Sequence, residues 1–398
     1  MTRKLITAAA QMGPISKSET RADTVNRLLE MMREAKGRGC ELVVFTELAL
    51  TTFFPRWMID DEHELDSYYE TEMPGAATQP LFDEAKRLGI GFYLGFAELT
   101  YQNGIKRRYN TSILVNQKAE IISTYRKVHL PGHSEPQPGR DFQHLEKRYF
   151  EPGDLGFPVV KGFGGNMGMA ICNDRRWPET YRVMGLQDVE MVMLGYNTPF
   201  GHVGEQAMDS LTLFHNHLSM QAGAYQNATW VVGTAKCGEE EGSKMGGQSV
   251  IIAPSGEIVA QAVSVEDEVI TAACDLDLGK RYKETVFDFA AHRRPEHYGL
   301  IVERTGAIAP DHQKEEEKDQ ENHVCHRHGY RLGCGLDRIL RRRGQPQRHS
   351  TRDFCHRSRG APLAAAVRQV RHEDELFRPR PFHRKLSQGN GDDCQSGP

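Results

Sequence analysis

The sequence lacks the long apolar runs of helical membrane proteins. Over its 398 residues, no apolar run approaches the roughly 18–20 residues that span a bilayer. The start of the chain resembles a signal peptide only superficially, because its short apolar part runs into Gln11. A first β-strand is the better interpretation, and we predict no membrane partner.

The sequence also lacks an excess of charge of one sign and a regular cysteine framework. Its formal net charge is −4 at pH 7, which is no nucleic-acid signature, so we predict no nucleic-acid partner. Its eight cysteines are irregularly spaced. Without a secretion signal, this spacing favours free thiols in a reducing compartment. We therefore expect a cytoplasmic protein.

Composition divides the chain near residue 303. Before this point, short β-rich runs alternate with segments that have apolar residues at helical spacing, for example Val25, Leu28 and Met32. Strands that alternate with helices predict a layered α/β domain over residues 1–303. We predict strands over 5–11, 41–47, 91–98, 113–115, 120–125, 167–171, 189–195 and 229–234, helices over 21–39, 80–88 and 209–225, and a hairpin turn at 253–256.

The extension 304–398 is basic and rich in histidine, with few apolar runs. We interpret it as disordered, because it has too little apolar surface to form a core. One alternative is a functional arm that contacts nucleic acid or an acidic partner. A weaker alternative is a metal site, since the candidate ligands lack two paired knuckles; these ligands are Cys325, His326, His328 and Cys334.

Three reactive side chains lie at the ends of predicted strands. Glu47 follows a short apolar run, Lys127 follows a β-rich run, and Cys172 ends an apolar strand just before a polar turn. A carboxylate in such a position is costly unless it faces a cleft or has partners. Taken singly, each residue has a simpler explanation. A buried cysteine is more often a small core residue, and a strand-end Glu or Lys commonly forms a salt bridge.

Taken together, the three residues resemble the signature of the nitrilase superfamily of carbon–nitrogen hydrolases, in which Glu, Lys and Cys occur in this order at strand ends. The resemblance covers roughly residues 4–303, and it implies a four-layer αββα sandwich. One departure is Thr46, because the family usually has Pro before the glutamate. Longer stretches resemble the N-carbamoyl-D-amino acid amidohydrolases, namely residues 47–57, 144–158, 172–179 and 195–198.

This resemblance implies the catalytic roles. Cys172 is the expected nucleophile, Glu47 the general base that takes its proton, and Lys127 the positive charge beside the oxyanion. Glu146 resembles the second glutamate of the superfamily, which orients Lys127 and the substrate amide. The scheme requires no cofactor and no metal.

Substrate choice is expected to depend on Arg175 and Arg176. Both follow the nucleophile so closely that we expect their guanidinium groups at the mouth of the pocket. There, arginine can hold a carboxylate through two parallel hydrogen bonds. An arginine is common at position 176 in the superfamily, so Arg175 is the more informative of the two. The alternative is that both form ion pairs with Asp174 or Glu179.

Four further residues are candidates for substrate binding. By resemblance, His129 and His144 support the pocket, although a purely structural role is the alternative for each. Asn173 and Asn197 are expected to contact polar groups of the substrate. His215 is expected to pack rather than react, and it cannot share a metal with His217, because residues two apart face different sides of a helix.

The predicted activity is hydrolysis of an N-carbamoyl-D-amino acid to the amino acid, ammonia and carbon dioxide. The alternatives are a β-ureidopropionase-like enzyme or simple amidase of the same superfamily, and a non-catalytic interaction protein. The D-preference comes from the resemblance, because residue order does not determine the handedness of a pocket. The resemblance also implies a homodimer or homotetramer, with the closed symmetry usual for such assemblies.

Overall fold

The computed structural model describes residues 2–140, 142–201 and 206–310, and residues Met1–Ile308 form one compact unit. The strands are β1 Lys4–Gln11, β2 Leu42–Val44, β3 Gly91–Gln102, β4 Ile105–Val115, β5 Ile121–Arg126, β6 Val159–Gly162, β7 Gly165–Ile171, β8 Met191–Tyr196, β9 Trp230–Ala235, β10 Cys237–Glu240, β11 Ser243–Gly246, β12 Val250–Ile252, β13 Ile258–Gln261 and β14 Glu268–Asp275.

Helices connect these strands and cover the sheets. The α-helices are α1 Arg21–Gly37, α2 Glu62–Asp66, α3 Gln79–Leu88, α4 Glu146–Tyr149, α5 Pro178–Gly185, α6 Gln206–Ser210, α7 Thr212–Asn227, α8 Lys280–Lys283, α9 Phe289–His292 and α10 Gly299–Glu303. Short 3-10 helices span Phe54–Arg56, Cys172–Arg176 and Pro295–His297.

Two six-stranded sheets form the centre of the fold. The first has the order β14-β1-β2-β3-β4-β5 and the second the order β13-β12-β9-β8-β7-β6. In the first sheet, β1, β2 and β3 are parallel, and in the second, β7, β8 and β9 are parallel. The carboxyl ends of parallel strands lie at one edge of a sheet, which is where open α/β sheets bind ligands.

The first helix illustrates how the sequence builds the outer layers. Thr20 caps α1 by accepting a hydrogen bond from the amide of Asp23, whose carboxylate accepts from the Thr20 amide in return. Val25, Leu28 and Met32 recur at helical spacing and are buried. They pack with α3 against the outer face of the first sheet.

Side-chain alternation along the strands separates the layers. In β2, Val43 faces the layer of α1 and α3, whereas Leu42 and Val44 face the second sheet. In β7, Met169 faces Ser112 of the first sheet. Gly168 faces the opposite side, where α5 packs so closely that an added Cβ would lie 2.6 Å from a sulfur atom of that helix. With α5 and α7 on this outer face, the fold is the predicted four-layer αββα sandwich.

The hairpin predicted at residues 253–256 is confirmed, because this turn joins β12 to β13. The predicted helix 209–225 is wrong in its bounds, since a break at Leu211 separates α6 from α7. The predicted strand 41–47 ends earlier, at Val44, and the chain turns away at Leu48, whose φ is +47°. Sequence periodicity did not predict the four-residue strands β6, β10 and β11, since so few residues carry too little pattern, and it also missed the eight-residue edge strand β14.

No helix in the described ranges is both long enough and apolar enough to cross a bilayer. The boundary at residue 303 stays a prediction. The proposed disorder of the extension, its basic arm and its metal ligands concern Cys325, His326, His328 and Cys334 and the residues around them, which lie outside the described part of the chain.

The two sheets approach so closely at Gly195 that a Cβ there would lie 2.5 Å from the backbone nitrogen of Glu47. We therefore expect Gly195→Ala to lower the free energy of unfolding by about 1–3 kcal/mol, as overpacking of a core does. Gly37→Ala is the matched control, because its new Cβ meets nothing within 4 Å. Chemical denaturation of both variants tests this, and equal stabilities would contradict it.

Candidate active site

The predicted catalytic residues converge at the carboxyl ends of strands from both sheets. Glu47 lies three residues beyond β2, Lys127 directly follows β5, and Cys172 directly follows β7. Glu146 is the first residue of α4 and Asn197 directly follows β8. Each of the five side chains is at most 5 % exposed, so the cluster lies inside the protein.

The ammonium group of Lys127 joins two carboxylates. Its Nζ donates to Oε1 of Glu47 at 2.7 Å and to Oε2 of Glu146 at 2.5 Å. Burial alone would lower the pKa of Lys127, but the Cys172 sulfur in its thiolate form and the carboxylates of Glu146 and Glu47 outweigh burial and raise this pKa. Lys127 is therefore a fixed positive charge at the centre of the cluster.

Both oxygens of the Glu47 carboxylate are held in place. Oε1 also accepts from Nδ2 of Asn110 at 2.8 Å. Oε2 accepts from the backbone nitrogen of Asn197 at 2.9 Å and from its Nδ2 at 3.0 Å. These donors fix the orientation of the carboxylate relative to the strand end that carries Cys172.

Cys172 occupies a strained backbone position. Its φ is +48°, a left-handed conformation that non-glycine residues adopt rarely and at a cost. Its Sγ donates to the carbonyl oxygen of Asn197 at 3.3 Å. This sulfur and one carboxylate oxygen each of Glu47 and Glu146 all lie within 4.8 Å of one another.

The thiol of Cys172 is protonated at neutral pH in the resting site. Burial, and after it the negative charge of Glu47, raise the pKa of Cys172 to about 11, although Lys127 and Arg175 oppose the rise. A thiolate is the reactive form, so a reaction at this sulfur needs a base at hand. Glu47 is a carboxylate close enough to serve as that base.

Asp174 holds the turn that bears Cys172. One of its oxygens accepts from the backbone nitrogen of Ile171 at 3.0 Å and from the hydroxyl of Tyr125 at 2.7 Å. The other contacts both the backbone nitrogen of His129, at 3.0 Å, and its ring Nδ1, at 2.8 Å. This one carboxylate thus ties the end of β7 to the segment that follows β5.

The two predicted pocket histidines have different partners. The His129 ring stacks on Trp177, with ring centroids 5.2 Å apart, and its carbonyl oxygen accepts from Nδ2 of Asn173 at 3.1 Å. The Nε2 atom of His144 lies 3.2 Å from Oε1 of Glu146. His144 therefore borders the lysine–carboxylate cluster, whereas His129 and Asn173 border the turn at Cys172.

The two arginines that follow Cys172 in the sequence differ in burial. Arg175 is 1 % exposed, and its guanidinium donates to the carbonyl oxygen of Cys172 at 2.5 Å, to the hydroxyl of Thr198 at 2.9 Å and to Oδ1 of Asn216 at 2.5 Å. Arg176 is exposed, and its one hydrogen bond to a described residue is a long contact of 3.4 Å to the same Asn216 oxygen. The expectation that both lie at a pocket mouth is therefore wrong for Arg175, because the 3-10 turn directs it inward.

The arginine pair carries uncompensated positive charge. Within residues 2–140, 142–201 and 206–310, neither arginine forms an ion pair, with Asp174, with Glu179 or with any other carboxylate. The positive charge of Arg175, and after it partial desolvation, lower the pKa of Arg176 to about 10. Two like charges close to Cys172 make this a place where an anion would be stabilised.

Glu47, Glu146 and Cys172 have the spacing of a three-ligand metal site. Their charged oxygens, however, are already hydrogen-bonded to the Lys127 ammonium. A metal ion would have to compete with this fixed charge, so the donor set fits a lysine-centred site better than a metal centre.

Sequence reasoning did not select Asn110 or Asp174 as site residues. Asn110 lies within the β4 sequence Tyr-Asn-Thr-Ser-Ile-Leu-Val, where it is followed by two further polar residues, so the sequence did not distinguish it; only the structure shows that it is buried against Glu47. Asp174 was visible only as a neighbour of Cys172. The departure at Thr46 has a structural account, because its buried hydroxyl donates to the carbonyl oxygen of Tyr196 at 3.1 Å.

The sequence profile of the family described as "Carbon-nitrogen hydrolase" matches residues 6–284. An N-carbamoylputrescine amidase from Arabidopsis thaliana is 28% identical over 315 residues, which cover 77% of this chain and 98% of that protein. A nitrilase from Pyrococcus abyssi is 29% identical over 271 residues, which cover 68% of this chain and 90% of that protein.

Solved structures are similar in fold. A carbon–nitrogen hydrolase from Helicobacter pylori G27 has a TM-score of 0.65 at 21% identity, with 76% of this chain and 99% of that chain covered. An amidase from Nesterenkonia sp. AN1, whose active-site cysteine carries an acetamide group, has a TM-score of 0.55 at 19% identity over 74% of this chain and 95% of that chain. At this level of identity the likeness extends to the fold alone.

The charge of Glu47 contributes to the high pKa of Cys172, so its removal should favour the thiolate. We expect Glu47→Gln to speed the modification of Cys172 by methyl methanethiosulfonate at pH 8 by about tenfold or more, as expected for loss of a unit charge a few ångströms away. Peptide mass spectrometry measures the rate at Cys172.

Glu190→Gln is the matched control for this measurement, because Glu190 pairs with Arg3 at the surface and its loss should leave the rate unchanged. The buried thiols of Cys40, Cys237 and Cys274 should stay slow in both variants, since burial raises each of their pKa values. A slower or unchanged rate in Glu47→Gln would disprove the electrostatic assignment.

Proposed function

Because the chain belongs to the carbon–nitrogen hydrolase family, we propose that it hydrolyses N-carbamoyl-D-amino acids to the D-amino acid, ammonia and carbon dioxide. The observation that carries the proposal is the unpaired arginine pair next to the buried Cys172, Glu47, Lys127 and Glu146. The arginine pair suits an anionic group of the substrate. The cluster around Cys172 suits attack on an amide carbon.

The reaction begins at Cys172. Glu47 accepts the thiol proton as the sulfur attacks the ureido carbon, which matters because burial keeps the resting thiol protonated at neutral pH. A negative charge then develops on the ureido oxygen. Lys127 is a buried, permanently charged donor, and a fixed charge in a dry site is effective in stabilising such an oxyanion.

The tetrahedral intermediate collapses with loss of ammonia. Glu47 returns its proton to the departing nitrogen, which leaves a thiocarbamate bond between the carbon and Sγ of Cys172. Water activated by Glu47 attacks this carbon and releases the sulfur. The product is an N-carboxy amino acid, which loses carbon dioxide to give the free amino acid.

Glu146 and His144 are proposed to orient the reacting groups, and neither forms a covalent bond to the substrate. The short contact between Glu146 and the Lys127 ammonium keeps the lysine aimed at the cluster. Contact with His144 orients the second oxygen of Glu146. Asn197 donates to Glu47 and accepts from Cys172, so it sets the distance between base and nucleophile.

The arginine pair is proposed to hold the α-carboxylate. Arg176 is exposed, and its hydrogen bond to Asn216 is long, at 3.4 Å. Its guanidinium is therefore available for two parallel hydrogen bonds to a carboxylate. Arg175 is engaged with Cys172, Thr198 and Asn216, so it adds charge and fixes the turn. Asn173 donates to the carbonyl oxygen of His129, and His129 contacts Asp174 of the same turn; both are proposed to contact polar groups of the substrate.

The same pair argues against a cationic substrate. Several relatives are N-carbamoylputrescine amidases, and N-carbamoylputrescine ends in an ammonium group. The positive charges of Arg175 and Arg176, which pair with no carboxylate among the described residues, would repel that ammonium and attract a carboxylate. The D-preference is supported by the resemblance of residues 47–57 and 144–158 to N-carbamoyl-D-amino acid amidohydrolases. N-carbamoyl-β-alanine and plain amides are the competing substrates.

We further propose that residues 1–303 are the catalytic unit and that the protein is a cytoplasmic homodimer or homotetramer. Exposed apolar residues on α7, Phe214 at 58 % and Leu218 at 50 %, support burial of this helix face in an assembly. Cys40, Cys172, Cys237 and Cys274 are free thiols, which suits a reducing compartment.

Ammonia release from paired D- and L-N-carbamoylphenylalanine tests the proposed reaction. We expect turnover of the D-enantiomer and almost none of the L-enantiomer, and we expect Cys172→Ala to lose more than about 10³-fold in kcat, as expected on removing a nucleophile. Cys40→Ala, which removes a thiol from the opposite layer, should keep the wild-type rate. Activity that survives Cys172→Ala, or faster turnover of N-carbamoyl-β-alanine, would reject the proposal.

Arg176→Gln tests the carboxylate contact. A hydrogen-bonded charge contributes about 1.5–3 kcal/mol, so KM for the N-carbamoyl amino acid should rise about 10–100-fold with little change in kcat. The corresponding carboxamide, which has no negative charge, should bind Arg176→Gln and the wild type equally. Arg281→Gln, at an exposed residue of α8, is the control; an equal KM rise for both substrates would exclude the contact.

A further inference from the structure

A second buried charge cluster lies beside the site, and the reaction described above does not use it. Arg56, Lys236 and Glu240 are each at most 1 % exposed. The Lys236 ammonium lies 3.0 Å from Oε2 of Glu240, and the Arg56 guanidinium bonds Oε1 of the same carboxylate. Buried charges of this kind are costly and persist only when they are paired and hydrogen-bonded.

The cluster carries one positive charge more than its carboxylate neutralises. Glu240 accepts hydrogen bonds from Arg56 and from the backbone nitrogens of Ile15, at 2.9 Å, and Phe53, at 2.7 Å. Lys236 also donates to the carbonyl oxygen of Thr51 at 2.9 Å. No second carboxylate among the described residues pairs with Arg56 or Lys236.

The catalytic cluster has the opposite imbalance. Glu47 and Glu146 carry two negative charges, Lys127 carries one positive charge, and the thiol of Cys172 is neutral at rest. Lys236 is hydrogen-bonded to the segments that hold the Glu47 carboxylate: its backbone nitrogen donates to the carbonyl oxygen of Tyr196 at 3.1 Å, directly before Asn197, and its ammonium donates to the carbonyl oxygen of Thr51, four residues after Glu47. Lys236 therefore places a buried cation against the backbone that carries the catalytic cluster.

The backbone joins the clusters as well. The Lys236 and Glu240 contacts hold residues 51–53, which directly follow the turn that carries Glu47. The carbonyl oxygens of Pro55 and Arg56 accept from the backbone nitrogens of residues 145 and 143, at 2.8 and 2.7 Å, just before Glu146. One buried cluster thus fixes the segments that carry both catalytic carboxylates.

We propose that Lys236 is a positioning residue whose buried positive charge offsets the net negative charge of the Glu47–Glu146–Lys127 cluster. This inference rests on the proposed catalytic role of Glu47. Arg56 and Glu240 hold Lys236 in place, and the Lys236 contact with residue 51 fixes its distance from the carboxylate. Lys236 touches neither the substrate nor the reacting atoms.

The test is the pH dependence of kcat/KM in Lys236→Met, which keeps the aliphatic stem and removes the charge. The acid limb of this profile reports protonation of an essential base in the free enzyme. Loss of a nearby cation makes a carboxylate easier to protonate, so we expect the limb to move up by about one pH unit. Lys236→Arg, which restores the charge, should return the limb towards the wild-type position.

Controls separate charge from folding. Lys236→Gln is neutral but can still donate to the carbonyl of residue 51, so it should show the same displaced limb if Lys236→Met does not fold. Lys283→Met removes a lysine that pairs with Asp188 at the opposite end of β8, and its limb should coincide with that of the wild type. Circular dichroism and thermal unfolding identify the folded variants.

An acid limb that stays in place in a folded Lys236→Met or Lys236→Gln protein would overturn the proposal. The profile is measured on whichever substrate the wild type turns over, an N-carbamoyl amino acid or a simple amide. An error in the proposed substrate therefore leaves this test intact. Wild-type activity in Glu47→Gln would instead contradict the proposed catalytic role of Glu47. That result is distinct from an acid limb that stays in place in the Lys236 variants.

Discussion

The burial of the Lys127 ammonium between two carboxylates is the constraint on which the site depends. A cation in the protein interior is stable only while its partners stay in place, and loss of one partner of a buried pair costs about 3–5 kcal/mol. Glu47 comes from the first sheet and Glu146 from α4, so the lysine holds two elements together. Asn110 and Asn197 fix the Glu47 carboxylate in turn, which leaves the base with one orientation towards Cys172.

The strained turn at Cys172 complements this rigid charge centre. Its left-handed backbone is held by Asp174 on one side and by the Arg175 bond to its own carbonyl on the other. Because burial keeps the thiol protonated at rest, the proposed nucleophile is inactive until its proton can pass to Glu47 during attack. In the proposed reaction the turn fixes the direction of the sulfur, and the Glu47 carboxylate removes the proton of the thiol.

Sequence patterns predicted the four-layer fold and the strand-end positions of Glu47, Lys127 and Cys172, because these features depend on local periodicity and on a recognisable signature. The inward direction of Arg175 depends on the phase of a short 3-10 turn, which residue order does not report. The cluster around Lys236 was equally hidden, because Arg56 and Glu240 are separated by 184 residues in the chain. Contacts of that range follow from sheet packing and have no local signal.

The buried charges form a gradient along the proposed substrate. The lysine–carboxylate cluster is net negative, the arginine pair is net positive, and Cys172 lies between them. A neutral ureido group at the first and an anionic carboxylate at the second is the orientation that such a field favours. In this arrangement the proposed chemistry belongs to Cys172, Glu47 and Lys127, whereas the proposed carboxylate contact belongs to the turn after Cys172. Because an arginine is common at position 176 in the superfamily, discrimination between anionic and cationic substrates would require the second guanidinium charge of Arg175 as well.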